Sequence, residues 1–149
     1  MELVHLLKGV ELFDGLDGKE LARLAAICNE ETFGKGEVIF SQGNAGDKMY
    51  IVREGFVEVV VGQGGDGPDA PKAVVNLGAG QVFGEMALVD RGARSATVRS
   101  VTERTVVDAI GRDAFNALCD GDTKIGYAVM RNLAADLSFK LRHRNLSRR

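Results

Sequence analysis

The sequence predicts an α+β chain that is mainly β: an antiparallel, jelly-roll-like β sandwich or barrel flanked by N-terminal helices and a long C-terminal helix. Three observations carry this expectation. Nineteen glycines stand against two prolines and no tryptophan in 149 residues, so many positions call for tight turns or positive φ, as in a turn-rich β region. The middle of the chain reads as short β-branched runs, GEVIF, KMYIV, GFVEVVV, KAVVNL, SATVRSV and RTVVDAI, which amounts to about six to eight strands at turn spacing. At both ends, apolar residues recur instead at intervals of three and four. The length suits one domain over 1–149 and leaves no room for a multidomain enzyme.

The opening segment, 1–30, is expected to be helical. Leu3, Leu6, Leu7 and Val10 form one amphipathic stretch, a turn follows around Asp14–Gly15, and Leu21, Leu24, Ala25 and Ile27 form a second. Asp17 stands where an N-cap belongs, with Glu20 three residues on in capping-box position. Residues 31–110 form the β region, punctuated by glycines at 34–36, 43–46 and 62–67. The stretch GQGGDGPDAP reads as a solvated hairpin loop without chemistry of its own. From 111 to 149 the pattern is helical again, a short segment through Phe115 and Leu118 and then a long one from about Asp122 towards Leu146. Val129, Leu133, Leu137 and Leu141 make a stripe along it, read first as core packing.

The net charge of −2 conceals an asymmetry. From Lys140 to the end there are five Lys/Arg and no Asp/Glu, leaving residues 1–139 with a balance of −7. The basic tail complements a helix C-terminus, and direct nucleic-acid binding is not expected of it. An interaction module using this tail on an acidic surface stands as an alternative function. Cys28 and Cys119 have no CxxC companion and read as buried, reduced thiols. No apolar run reaches membrane-spanning length and no secretory signal is legible, so a soluble cytoplasmic protein, or the cytoplasmic piece of a larger one, is expected. A cupin-type metal enzyme would need histidines inside the barrel, whereas the two present, His5 and His143, lie outside the β region. No metal ligands and no catalytic residues are assigned.

One connection is more than a short polar turn: Phe83-Gly84-Glu85-Met86-Ala87-Leu88-Val89-Asp90-Arg91-Gly92-Ala93-Arg94-Ser95-Ala96-Thr97-Val98. Gly84 permits close backbone approach, and Glu85–Leu88 can form a single helical turn whose free N–H groups converge as an anion site. Nine residues after Glu85, Arg94 can grip an anion bidentately above those amides. Arg91 and Asp90 read as solvated loop charges. Arg53 and Arg99 alternate with apolar neighbours and are expected to face solvent.

This segment resembles the phosphate-binding cassette of cyclic nucleotide-binding domains, and KGEVIFSQGNAGDKMYIVREGFVEV is similar to that family's glycine-punctuated first strands, with Gly36, Gly43, Gly46, Asp47, Tyr50 and Gly55 in place. The resemblance implies a cassette at 83–96 with Phe83, Gly84, Glu85, Met86, Ala87, Arg94, Ser95 and Ala96 as binding residues. Glu85 would accept a hydrogen bond from the ribose 2′-hydroxyl and Arg94 would neutralise the cyclic phosphate. The N–H groups of Met86 and Ala87, with the Ser95 hydroxyl, would complete the cradle, and Phe83, Met86 and Val82 would wall the sugar and base. The last helix is implied to act as a lid, with Arg131, Arg144 and Asn145 as candidates for base contact. Ser95, where cGMP receptors tend to carry Thr, favours cAMP over cGMP as the cyclic purine nucleotide. The implied function is a regulatory receptor rather than an enzyme. Its output would pass through the C-terminal helix to an effector protein or a domain beyond this chain, with a homodimer through that helix as a further expectation.

Overall fold

A computed structural model describes residues 2–61 and 72–147, and within them the side chains of 2–61 and 75–143. The stretch 62–71, expected to be a hairpin loop, and the terminal Arg148 and Arg149 lie outside the described residues, as do the side chains of Arg144 and Asn145. The chain forms two compact units, one of residues 27–115 and one of residues 1–26 with 116–149.

Among the described residues the first unit holds eight strands, β1 (Cys28–Phe33), β2 (Val38–Phe40), β3 (Lys48–Glu54), β4 (Val57–Val61), β5 (Lys72–Leu77), β6 (Val82–Phe83), β7 (Thr97–Ser100) and β8 (Thr105–Gly111). They make two four-stranded antiparallel sheets, ordered β1-β8-β3-β6 and β2-β7-β4-β5, the α+β, mainly β sandwich that the strand pattern implies. Period-2 alternation sends Tyr50, Val52, Phe83, Val107 and Ala109 from one sheet and Val57 and Val98 from the other into a shared core. Phe33, Ile39, Phe40, Val59 and Leu77 close its margins. Gly55, at φ 83°, makes the sharp turn from β3 to β4, where a Cβ would stand 2.6 Å from the Arg104 carbonyl.

In the second unit, α1 (Leu3–Lys8), a 3-10 turn at Glu11–Phe13, α2 (Gly18–Ala26) and α4 (Thr123–Ser147) bury Leu6, Leu7, Val10, Leu12, Phe13, Leu21, Leu24, Ile125, Val129 and Leu133. The capping box forms as the spacing predicts: the Asp17 N–H donates to Glu20 Oε1 at 2.8 Å, and the Glu20 N–H donates to Asp17 Oδ1 at 2.9 Å. The Glu20 N–H bond to its carboxylate favours ionised Asp17 and lowers its pKa. Asn132 Nδ2 donates to the carbonyls of Leu12 and Asp14, both at 2.9 Å, tying α4 to the 3-10 turn. A further helix, α3, covers Arg112–Gly121.

Four expectations are corrected. Strand β1 starts at Cys28, inside the stretch read as helical, because an edge strand with only intermittently covered side chains carries no apolar alternation. The α4 stripe is buried only in its first half: Val129 and Leu133 are covered, Leu137 is half-buried, and Leu141 and Phe139 are about three-fifths exposed, at 58% and 61%. Arg53 does not simply face solvent. Its Nε and Nη2 donate to the two oxygens of buried Asp108 at 2.9 and 2.7 Å, and Nη1 lies 3.2 Å from Glu30. Glu30 faces Asp108 across β1 and β8, and Ile51 faces Asp108 across β3 and β8, so strand register gathers charges that the linear sequence keeps apart. Cys28 and Cys119 are half-buried rather than buried, and neither is in a disulfide.

Candidate functional site

The site is built around a left-handed residue. Gly84 has φ 72° and ψ 16°, and it ends β6 by turning the chain directly into a 3-10 turn at Glu85–Leu88. A Cβ here would be strained by that φ and would also stand 2.7 Å from Arg94 Nη1 and 3.2 Å from the Lys48 carbonyl. Within the turn the Ala87 N–H donates to the Gly84 carbonyl at 3.2 Å, and the N–H groups of Val89 and Asp90 both reach the Met86 carbonyl. The first donor used by the turn itself is therefore Ala87, so the Met86 amide is not one that the 3-10 turn consumes. Of the two amides expected to cradle an anion, Met86 and Ala87, the second already serves the turn.

Arg94 lies opposite. Its backbone is clamped to the loop between β2 and β3: its N–H donates to the Asn44 carbonyl at 2.7 Å, its carbonyl accepts from the Gly43 N–H at 2.9 Å, and Ala45 bridges Ala93. The side chain turns inward and is only 8% exposed. Nη1 donates to the Gly84 carbonyl at 3.2 Å and Nη2 to the Lys48 carbonyl at 2.8 Å. Its Cζ stands 4.0 Å from the centre of the Phe40 ring, a cation–π contact. Phe40 also packs against Phe83 and Tyr50, which stack on each other at 5.0 Å. Nε is buried with no hydrogen-bond partner. Burial pulls the Arg94 pKa below its ordinary value, while Tyr50, Asp47 and Glu85 oppose that shift. A guanidinium stays charged at neutral pH even so.

Sequence position and space agree for most of the expected residues. Phe83 is buried in the aromatic group, Glu85 is half-buried within electrostatic reach of Arg94, Ala87 and Ala96 are buried, and Met86 and Ser95 are exposed at the surface of the segment. Asp90 and Arg91 are exposed, and Asp90 Oδ1 accepts the Gly92 N–H at 3.0 Å. Arg131 donates to the Tyr127 hydroxyl one turn earlier on α4, at 2.9 Å.

Two features escaped the sequence reading. Gly46 lies so close to Arg94 that a Cβ would stand 2.7 Å from Nε and 2.8 Å from Cζ; its position in a glycine cluster signals a turn but not a facing guanidinium. Arg112, the first residue of α3, sends Nη1 to the carbonyls of Gly46, Ala87 and Asp90 at 3.0, 3.1 and 3.1 Å. Its only sequence signal is its place at a strand-to-helix junction. Chemically, the arrangement presents one buried cation, the Met86 amide and the Glu85 carboxylate within electrostatic reach of that cation, which suits a singly charged anion that also carries a hydroxyl.

Comparison with known proteins agrees with this chemistry. The family model for the cyclic nucleotide-binding domain matches residues 30–122, more than half of the chain. The chain is 34% identical over 141 residues to the cyclic AMP receptor protein of Thermus thermophilus, covering 94% of this chain and 61% of that protein. Among solved structures it is similar to the N-terminal domain of a transcriptional regulator from Streptomyces coelicolor, with TM-score 0.80, 28% identity, and 91% and 94% of the two chains covered. It is also similar to the regulatory domain of Toxoplasma gondii PKA co-crystallised with cAMP, with TM-score 0.75, 30% identity, and 91% and 48% covered. The chain spans between 12% and 61% of the length of the first curated relatives it matches. With the family model matching 30–122 and a relative 34% identical over 94% of the chain, the chain belongs to the cyclic nucleotide-binding domain family.

Proposed function

We propose that this chain is a regulatory receptor for a 3′,5′-cyclic purine nucleotide, cAMP in preference to cGMP, which it binds without hydrolysing. The observation that carries the reading is Arg94: a buried guanidinium held by two neutral carbonyls and an aromatic face, with its Nε unpartnered. A desolvated cation so placed is stabilised by an incoming anion more than an exposed one would be. In this reading Arg94 meets the cyclic phosphate with the Met86 amide and the Ser95 hydroxyl, and Glu85 accepts the ribose 2′-hydroxyl. Phe83, Met86 and Val82 wall the sugar and base. Ser95 in place of Thr, and the cAMP receptors among the similar proteins, support the adenine preference.

Occupancy is read out by the C-terminal helical segment, which passes the signal to an effector protein or to a further domain of a longer chain. Differential affinity of the nucleotide for two arrangements is all that such a switch requires. No helix among the described residues is long and apolar enough to cross a membrane, in keeping with a regulatory part that works in the cytoplasm. Calorimetric titration with cAMP, cGMP and 5′-AMP tests the reading. Micromolar or tighter binding of cAMP, weaker binding of cGMP, no binding of 5′-AMP and no appearance of AMP are expected. Tighter cGMP binding would reverse the base preference, and failure of both cyclic nucleotides would overturn the function.

A further inference from the structure

Arg94 has two walls. One is the loop between β2 and β3, where Gly46 lies against the guanidinium; the other is the turn from Gly84 to Asp90, whose Gly84 carbonyl accepts from Nη1. A single side chain bonds both walls from outside: Arg112 Nη1 lies within 3.0–3.1 Å of the carbonyls of Gly46, Ala87 and Asp90. The Arg112 backbone N–H also donates to the Asp47 carbonyl at 2.8 Å. The residue thus holds the loop by main chain and side chain together, and holds the turn by side chain alone.

Resting on the function proposed above, we infer that Arg112 is a positioning residue that fixes the spacing between the loop and the turn, and hence the shape of the anion site, without touching the ligand. Three carbonyl oxygens converging on one nitrogen would repel one another if the donor were removed. A charged donor offsets that repulsion where a neutral one would do so only weakly. The Nη1 group has two hydrogens for three acceptors, and Nε of the same side chain is buried without a hydrogen-bond partner. Such incompletely satisfied donors are tolerated where surrounding structure fixes the geometry, and here they join the segments that shape the site. Without the clamp, Gly46 can move off Arg94 and the 85–90 turn can swing, so Arg94 and the Met86 amide no longer converge.

Two variants separate positioning from mere folding. Arg112→Met keeps the aliphatic stem and loses the donor; Arg112→Lys puts three N–H groups on one centre, matching three acceptors. For Arg112→Met, hydrogen exchange without nucleotide should quicken at the amides of Ala87, Val89, Asp90 and Arg94 while those of β3 and β8 keep the parent's protection. Its affinity for cAMP should fall by about tenfold or more, as for loss of a charge-assisted hydrogen bond, and Arg112→Lys should recover to within about threefold of the parent. Parent-like exchange and affinity in Arg112→Met would overturn the assignment. So would a Lys variant as weak as the Met variant, or loss of protection throughout the sandwich in both. If the parent itself binds no cyclic nucleotide, the functional reading fails, and the exchange arm still decides whether Arg112 is the clamp.

Discussion

Two arginines of the sandwich, Arg53 and Arg94, are satisfied in opposite ways. Arg53 is a quarter exposed and meets buried Asp108 through two parallel hydrogen bonds, with Glu30 beyond. Its charge is balanced within the protein, and the Asp108 bonds raise its pKa. Arg94 is more deeply covered, is bonded to neutral carbonyls, leaves Nε unpartnered, and has its pKa lowered by burial. A paired guanidinium stabilises a fold because removing it strands a buried carboxylate; an uncompensated one stores desolvation energy that a ligand anion can relieve. Identical side chains on one scaffold are therefore distinguished by their acceptors, not by their depth.

The largest effects should come from deleting each arginine, and they should fall on different measurements. Arg94→Ala is expected to weaken cAMP binding by roughly 2–5 kcal/mol, since the phosphate loses its cation in a desolvated site. The same change should alter unfolding stability by less than about 1 kcal/mol, because it also removes an unsatisfied buried donor. Arg53→Met should do the reverse, lowering stability by about 3 kcal/mol as Asp108 is left buried without its partner, with affinity of the folded protein unchanged. Denaturant titration and calorimetry on the two variants test this crossing. If both variants lose stability and keep affinity, Arg94 is structural and the comparison collapses.

A smaller effect sharpens the Arg94 side. Glu85→Gln keeps an acceptor for the ribose hydroxyl but removes its charge, so affinity should drop on the order of 1–3 kcal/mol. A 2′-deoxy analogue of cAMP has no hydroxyl to donate, and it should bind Glu85→Gln and the parent with nearly equal affinity. Loss of affinity for the deoxy analogue on the same scale would place Glu85 in some other role. Arg91→Ala, exposed beside the same turn, should leave both ligands unaffected.

The contrast also explains what could be read without coordinates. The segment around Arg94 was legible because its residues are consecutive: glycine, turn and arginine are fixed by local backbone geometry and spacing. Arg53 was misread as solvent-facing because its partners, Asp108 and Glu30, reach it only through strand register, and register is a long-range property. Arg112 was invisible for the same reason, since its acceptors lie 66, 25 and 22 residues away. Strands β1 and β6 show the limits of pattern: one is too polar to alternate, the other has two residues. The α4 stripe was legible as helix but not as core, because periodicity specifies a face and cannot say how far along the helix that face is covered.

The last test uses a reporter already present on the Arg53 side. Cys28, on β1, has its pKa raised from 9.0 to about 12, first by burial, then by the Asp108 charge, with Arg53 acting in the opposite direction. Cys119, on α3, is also raised by burial, with Asp120 and Asp122 adding to the shift. A thiol three pK units above its ordinary value holds about a thousandfold less thiolate at pH 8, and alkylation of Cys28 by iodoacetamide should be slowed on that scale relative to a free thiol. Asp108→Asn removes one raising charge and should speed the reaction while burial still holds it below the free-thiol rate. The sign for stability follows from the same shift. The folded state favours the protonated thiol, so its contribution is fully present below pH 9.0 and is lost as pH rises from there towards 12. Cys28→Ala should accordingly lose less stability than the parent between pH 9 and pH 11. Alkylation of native Cys28 at the free-thiol rate, or alkaline stability curves that run parallel in the two proteins, would show that burial does not hold this thiol protonated, and an Asp108→Asn rate equal to the parent's would remove Asp108 from the cause.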